Sequence, residues 1–229
     1  MFAGHLGAAL AVARAHRRIN LGTFVFAAML ADVLLWLFVL LRWESAAIPG
    51  DFPIRHQAQY VFPYSHGLAA SVGWAGLLGA AVAAWLPAPP RRRARCAVLI
   101  GAAVLSHWVL DAIVHVPELP LLGAGSTRVG LGLWDHRAVA LVFEGIIVVA
   151  GLLLFVAGAG LSRAKALALT ALCLVCLALT VAGMTVAPPP PSVPAMASSS
   201  LGTIAVVCAV AWWLGRRCGN ATPLNGFER

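Results

Sequence analysis

Residues 91–115 read RRRARCAVLIGAAVLSHWVLDAIVH, four arginines followed by an apolar run. A bilayer core of ~30 Å takes about 20 apolar residues as helix, and the stretch 96–115 has that length. Near its far end His107, Asp111 and His115 recur at i, i+4 and i+8, which puts them on one helix face. Two ligands one turn apart can grip a single metal ion. Trp108, Val109, Leu110, Ile113 and Val114, between them, are left for lipid or for packing.

Runs of similar length surround it. Segments 20–41, 64–86, 138–159, 164–187 and 198–215 are each long enough to span, and residues 2–16 form a shorter apolar helix. The composition agrees, with 61% hydrophobic residues, 10% charged and a mean hydropathy of +0.90. Soluble domains are nearer a quarter charged. The expected fold is therefore an all-α polytopic membrane bundle of six spanning helices plus a shorter N-terminal intramembrane helix. It is read as a single membrane domain over 1–229, with the candidate site in 1–160 and two additional spanning helices in 161–229. Gly and Ala in GAALAVA and GWAGLLGAAVAA allow the close helix contacts that packing in lipid favours.

The formal charge of +8 is distributed by topology. Arg14, Arg17, Arg18, Arg91, Arg92, Arg93, Arg95, Arg163, Lys165, Arg216, Arg217 and Arg229 fall on alternate loops. The opposite loops hold only Arg42, Arg55, Arg128 and Arg137. By the positive-inside rule the arginine-rich loops and the C-terminus are cytoplasmic. This reading excludes a nucleic-acid partner. The first arginines follow the first apolar run, so no signal-peptide pattern is expected. Cys173 and Cys176 form a CxxC within LALTALCLVCLALT and read as helix packing; Cys96, Cys208 and Cys218 are likewise in apolar segments or beside arginines.

Asp32, Asp111 and Glu144 lie inside spanning segments, where a charge costs roughly 3 kcal/mol unless it is paired, hydrated or metal-bound. His5, His66, His107 and His115 join them. At ~1.5 Å per residue, His107, Asp111, Asp32 and Glu144 lie ~6–13 Å below the outer ends of their helices, and His5 rises ~16 Å from the opposite side. His66 is expected to begin its helix at the outer mouth. One layer in the outer half of the membrane thus gathers these groups, more than interhelical hydrogen bonding requires. His16 and His56 read as solvated, Asp135 and His136 as outer supports, and Glu118 as part of the VPELP turn near the rim. Loop 42–63 suits an interfacial cap, and 188–200 a stiff polyproline-like connection.

GHLGAAL near the start, PYSHG at 63–67, SHWVLDAIVHVPELPL at 106–121 and GLGLW at 130–134 resemble the bacterial inner-membrane metal-dependent hydrolases. That family includes a LexA-regulated member and is related to the zinc-dependent phospholipase C and P1 nuclease group. The resemblance covers about residues 1–160. It implies that Asp32, His66, His107 and Asp111 surround one metal, with His5 and His115 candidates for a second. The chain lacks the group's later His-x3-Glu pair and its N-terminal tryptophan ligand, which leaves either Glu144 as a partial substitute or a site with fewer metals, and it carries Glu118 where the family often has an acid after the proline. Residues 164–215 carry no such resemblance.

Together these readings predict a membrane-embedded hydrolase using one or two Zn2+ ions on a lipid or lipid-linked phosphoester at the extracytoplasmic face of a bacterial inner membrane. Asp32 or Glu144 is the expected general base. Arg128 and Arg137 are expected to neutralise a phosphate. Membrane lipids are the expected partners. The rivals are a proton- or metal-coupled transporter or channel, in which intramembrane His and Asp form a pathway, and a non-catalytic assembly protein. The apolar inner halves of the helices favour a pocket over a pathway.

Overall fold

The computed structural model describes residues 1–16 and 19–216. Arg17, Arg18, Arg217, Cys218 and Arg229 lie outside the described residues. The chain is an all-α polytopic bundle of helices α1 (Phe2–Ala13), α2 (Leu21–Ala28), α3 (Leu30–Leu40), α4 (Phe52–Arg55), α5 (Leu68–Trp85), α6 (Pro90–Val114), α7 (Arg137–Ala159), α8 (Arg163–Thr185) and α9 (Val193–Gly215). α5 to α9 are long and apolar enough to cross a bilayer, and α2 with α3 forms a sixth span.

That sixth span is bent by 53°. The run 20–41, expected to be continuous, breaks at Met29, where φ is −101° and ψ is 5°. Other boundaries shift for local reasons. α6 starts early because Pro90 suits a first helical turn, so Arg91 to Arg95 form an exposed helical collar. α9 starts at Val193 because the Ser192 side chain accepts from Ala195 N, with Pro194 in the first turn. The expected link 188–200 therefore shortens to the prolines ahead of Ser192. α5 starts at Leu68, so His66 stands in the turn before the helix instead of on it.

Hydrogen bonds tie the basic turns to one end of the bundle. Arg95 Nη2 donates to Ala15 O at 3.1 Å, and Lys165 Nζ donates to the carbonyls of Leu214 and Arg216. Asn20 Nδ2 reaches Trp212 O at 3.1 Å. At the opposite end, loop 42–63 folds into an antiparallel pair, β1 (Ser45–Ala47) against β2 (Gln59–Val61), with α4 between them. β3 (Leu119–Pro120) pairs with β4 (Arg128–Val129) beside it.

α1 runs through the centre. It packs on α7, α2, α6 and α8, and Ala3, Leu6, Ala9 and Leu10 are fully buried. Its crossing with α7 has no room for side chains: a Cβ on Gly151 would meet Gly7 O at 2.1 Å. With 12 residues α1 is ~18 Å long, so it fills little more than half of a ~30 Å layer. The polar groups gather around its N-terminal turns.

Candidate metal centre

His107 and Asp111 project from one face of α6, as their spacing requires. His115 caps that helix, with its N–H donating to Asp111 O at 2.8 Å. α1 delivers His5, α3 delivers Asp32, and the turn before α5 delivers His66. His5, His66, His107, Asp111 and His115 are 0–4% exposed. The six residues expected from the sequence to hold metal thus converge on one centre. Asp111 Oδ2 lies 3.1 Å from His107 Nε2, 3.5 Å from His66 Nε2 and 3.7 Å from His115 Nε2. Asp111 Oδ1 lies 3.2 Å from His5 Nε2, and Asp32 Oδ1 lies 3.7 and 3.8 Å from the Nε2 atoms of His66 and His107.

The outward nitrogens decide what the inward ones can do. His107 Nδ1 is 2.7 Å from Ala28 O, an acceptor only, so Nδ1 carries the proton. The bend at Met29 turns that carbonyl toward the imidazole. Ser65 Oγ donates to Glu44 Oε2 at 2.6 Å, which leaves Oγ to accept from His66 Nδ1 at 2.9 Å. His115 Nδ1 donates to Glu118 Oε1 at 2.6 Å. With each Nδ1 engaged outward, Nε2 is the nitrogen that each ring presents to the centre. His66 Nε2 and His107 Nε2 face each other at 3.2 Å. Outward hydrogen bonds of this kind are how metal-binding histidines are oriented.

His5 points the same way. It is fully buried and stacked on His107 with ring centroids 3.7 Å apart; its Nδ1 has no hydrogen-bond partner, and its Nε2 lies 3.2 Å from Asp111 Oδ1 outside hydrogen-bond geometry. Two ligand triads satisfy the spacing a metal needs, His5 with Asp32 and His107, and His66 with His107 and Asp111, each with donor atoms within 4.8 Å of one another. His107 belongs to both. Buried His/Asp groups that can hold a metal ion are therefore present; their chemistry alone does not select the metal, since imidazole and carboxylate suit several divalent ions.

Glu144 is fully buried and accepts from Gly4 N at 3.1 Å, holding the first turn of α1 in place. Together with Asp32 it lines a cavity of about 470 Å3 that reaches from the centre to α8 and α9. Tyr60 stands on the same wall, where desolvation and the nearby Asp32 and Glu118 hold its phenol above the ordinary value, leaving a neutral O–H. His56, expected in solvent, also lines this cavity; it adopts a left-handed backbone and buries its Nδ1 without a partner. Arg137 lines an adjoining cavity with Arg55 and Gln57, and its Nη2 donates to Ile54 O at 2.5 Å. Arg128 is exposed on β4 and is not among the residues around Asp32. Asp135 and His136 are exposed, and it is Trp134 whose ring lies 4.1 Å from that of His115.

Glu44 and Ser65 are the supports that sequence reasoning passed over. They are 21 residues apart and meet because Tyr64 N and Ser65 N both donate to Glu44 Oε1. The one available signal was a serine adjacent to His66.

No family model, no curated protein and no solved structure matches the chain.

Proposed function

We propose that the chain is a membrane-embedded metal-dependent hydrolase that cleaves a phosphoester of a lipid or lipid-linked substrate at the extracytoplasmic face of a bacterial inner membrane. The observation that carries the metal is the set of three imidazoles whose Nδ1 atoms are engaged outward and whose Nε2 atoms converge on Asp111. Asp32, His66, His107 and Asp111 would hold one ion, with His5 and His115 candidates for a second, and Zn2+ fits such imidazole and carboxylate donors. A bound divalent ion supplies Lewis acidity toward a phosphoryl oxygen and a more acidic water.

The chain's own groups do the rest. Asp32 has the cavity-facing position of a general base, since it is the cluster carboxylate with the greater exposure, at 22% against 2% for Asp111. Glu144, tied to Gly4 N, fixes the end of α1 beneath the cavity and is the second candidate for proton transfer. Arg137 sits at the outer rim, placed to attract a phosphate group; Arg128, further out on the hairpin, contributes field alone. The resemblance of the motifs to the inner-membrane hydrolases supports the reaction class.

A conduit is the weaker reading. The buried histidines and carboxylates among the described residues, His5, Glu44, His66, His107, Asp111, His115 and Glu144, gather toward the loop-bearing half. Beneath them Leu6, Leu10, Phe24 and Val25 are fully buried and apolar.

The deciding experiment is the metal content of the detergent-purified protein, wild type beside Asp111→Ala and His107→Ala. Near-stoichiometric zinc in wild type, lost in both variants, is expected. Absence of metal after reconstitution with zinc overturns the hydrolase reading.

A further inference from the structure

The segments that join the spans at the loop-bearing end carry large apolar side chains that no packing covers. Trp43, Ile54, Tyr64 and Leu131 are 55–80% exposed, although none lies on a spanning helix. Scattered apolar residues are common on water-facing surfaces, so exposure alone assigns nothing. Their height along the bundle does.

Trp43 N donates to Phe38 O at 2.8 Å and the two rings lie 5.3 Å apart, which sets the indole beside the last turn of α3. Tyr64 O accepts from Trp74 Nε1 at 2.8 Å, and Trp74 stands in the second turn of α5. Leu131 N donates to Ala112 O at 2.9 Å, in the last turn of α6. Ile54 rides on α4, and its carbonyl accepts from Arg137, the first residue of α7. The four therefore stand level with the ends of four spanning segments, where hydrocarbon gives way to headgroups. Charge agrees with that height. Arg42 precedes Trp43 and Arg55 follows Ile54, both exposed; Arg55 also pairs with Asp51 at 3.1 Å, so Arg42 is the freer of the two. An indole or an aliphatic chain beside a guanidinium suits this boundary, with the apolar part among acyl chains and the cation among phosphates.

We infer that the loop-bearing end is seated in the headgroup layer of its own leaflet, with Trp43, Ile54, Tyr64 and Leu131 in contact with phospholipid. The bilayer meets every span at this height, so one partner accounts for all four. Loop 42–63 also carries Phe62, whose ring lies 4.8 Å from that of His66, so the loop is held between lipid and the centre. The cavity of about 730 Å3 between Arg55, Gln57, Arg137 and Thr185, the last residue of α8, lies at the same height. An amphiphile in the leaflet meets that cavity with its polar part already level with it. The seating holds whether or not the centre binds metal.

The test uses the full chain with its native cysteines replaced, in nanodiscs of phosphatidylcholine and phosphatidylglycerol. A nitrobenzoxadiazole fluorophore is attached at Leu131→Cys or Ile54→Cys. Gly125→Cys, at the exposed tip of the β3–β4 hairpin, is the water reference. At Leu131 and Ile54 the emission is expected to be blue-shifted and quenched more by a nitroxide near the carbonyl end of the acyl chain than by one near its terminus. Iodide quenching there is expected to be several-fold below that of Gly125→Cys. Should either variant aggregate, Tyr64→Cys takes its place. Equal iodide quenching at every labelled position overturns the inference. A second measurement removes the fluorophore's own affinity for lipid: p-benzoylphenylalanine placed at Trp43 and irradiated in native membranes is expected to yield an adduct heavier by one phospholipid. The same group at Leu153, on the exposed face of α7, is the positive control. An adduct with a protein chain at Trp43, or none while Leu153 gives its lipid adduct, overturns the inference.

Discussion

His66 is oriented through the residue before it, and that residue through Glu44. Glu44 is 5% exposed and accepts two backbone N–H groups as well as the Ser65 hydroxyl. Glu44→Gln keeps the shape but replaces one accepting oxygen with a donor, so the Ser65 hydroxyl no longer has a fixed acceptor and the His66 tautomer is no longer imposed. Metal affinity is expected to fall about 10–100-fold, with helix content unchanged; competition against a chromophoric chelator measures it. A variant that binds metal as tightly as wild type removes Glu44 from the support of the centre. At this scale His107, Asp111 and His115 were legible because the helix repeat places i, i+4 and i+8 together whatever surrounds them. Glu44 and Ser65 were not, because their meeting depends on where the chain turns between α3 and α5. His56 was misread for a related reason: a polar residue in a loop reads as solvated until the loop is seen to fold over a cavity.

Helix ends and breaks follow a similar division. The spans were readable from apolar length, and the starts of α6 and α9 carry Pro90 and Ser192 with Pro194, signals of known meaning. The break at Met29 carries none. LGTFVFAAMLADVLLWLFVL contains no proline and no interior glycine near the bend, so the bend is a tertiary effect, one that presents Ala28 O to His107. Glycines on helix crossings give a direct test of the packing. In Gly151→Ala the new methyl meets backbone at 2.1 Å, so α1 and α7 must separate, whereas Gly145 and Gly183 have nothing within 4 Å of an added Cβ. Thermal unfolding in detergent is expected to show a clear loss for Gly151→Ala, about 1–3 kcal/mol, and no loss or a gain of about 0.5–1 kcal/mol for Gly145→Ala. Equal behaviour of the two would refute a backbone-tight α1–α7 crossing.

The whole molecule has a basic end and a loop-bearing end. Both were readable from the charges, since loops on one side of a bilayer must alternate in sequence, and the hydrogen bonds of Arg95, Lys165 and Asn20 place the described basic turns together. Which end faces the cytoplasm is a property of the membrane and is tested there. In a chain whose native cysteines are replaced, Arg128→Cys is expected to react with an impermeant maleimide in intact cells, and Arg92→Cys only after permeabilisation. The opposite pattern inverts the orientation. The cavity itself was not legible, because its lining comes from α3, loop 42–63, α7, α8 and α9, which meet only when the whole bundle is in place.

The order of the helices along the chain also fixes an order in time. Translation delivers His5, Asp32, His66, His107, Asp111 and His115, and then Glu144, before the first residue of α8 leaves the ribosome. At about 5–20 residues per second, α8 and α9 arrive some seconds after the last ligand. During that interval the face of α1 that α8 covers, and the faces of α2 and α3 that α9 covers, have no helical partner, so the ligands are synthesised and can gather before their flank is enclosed.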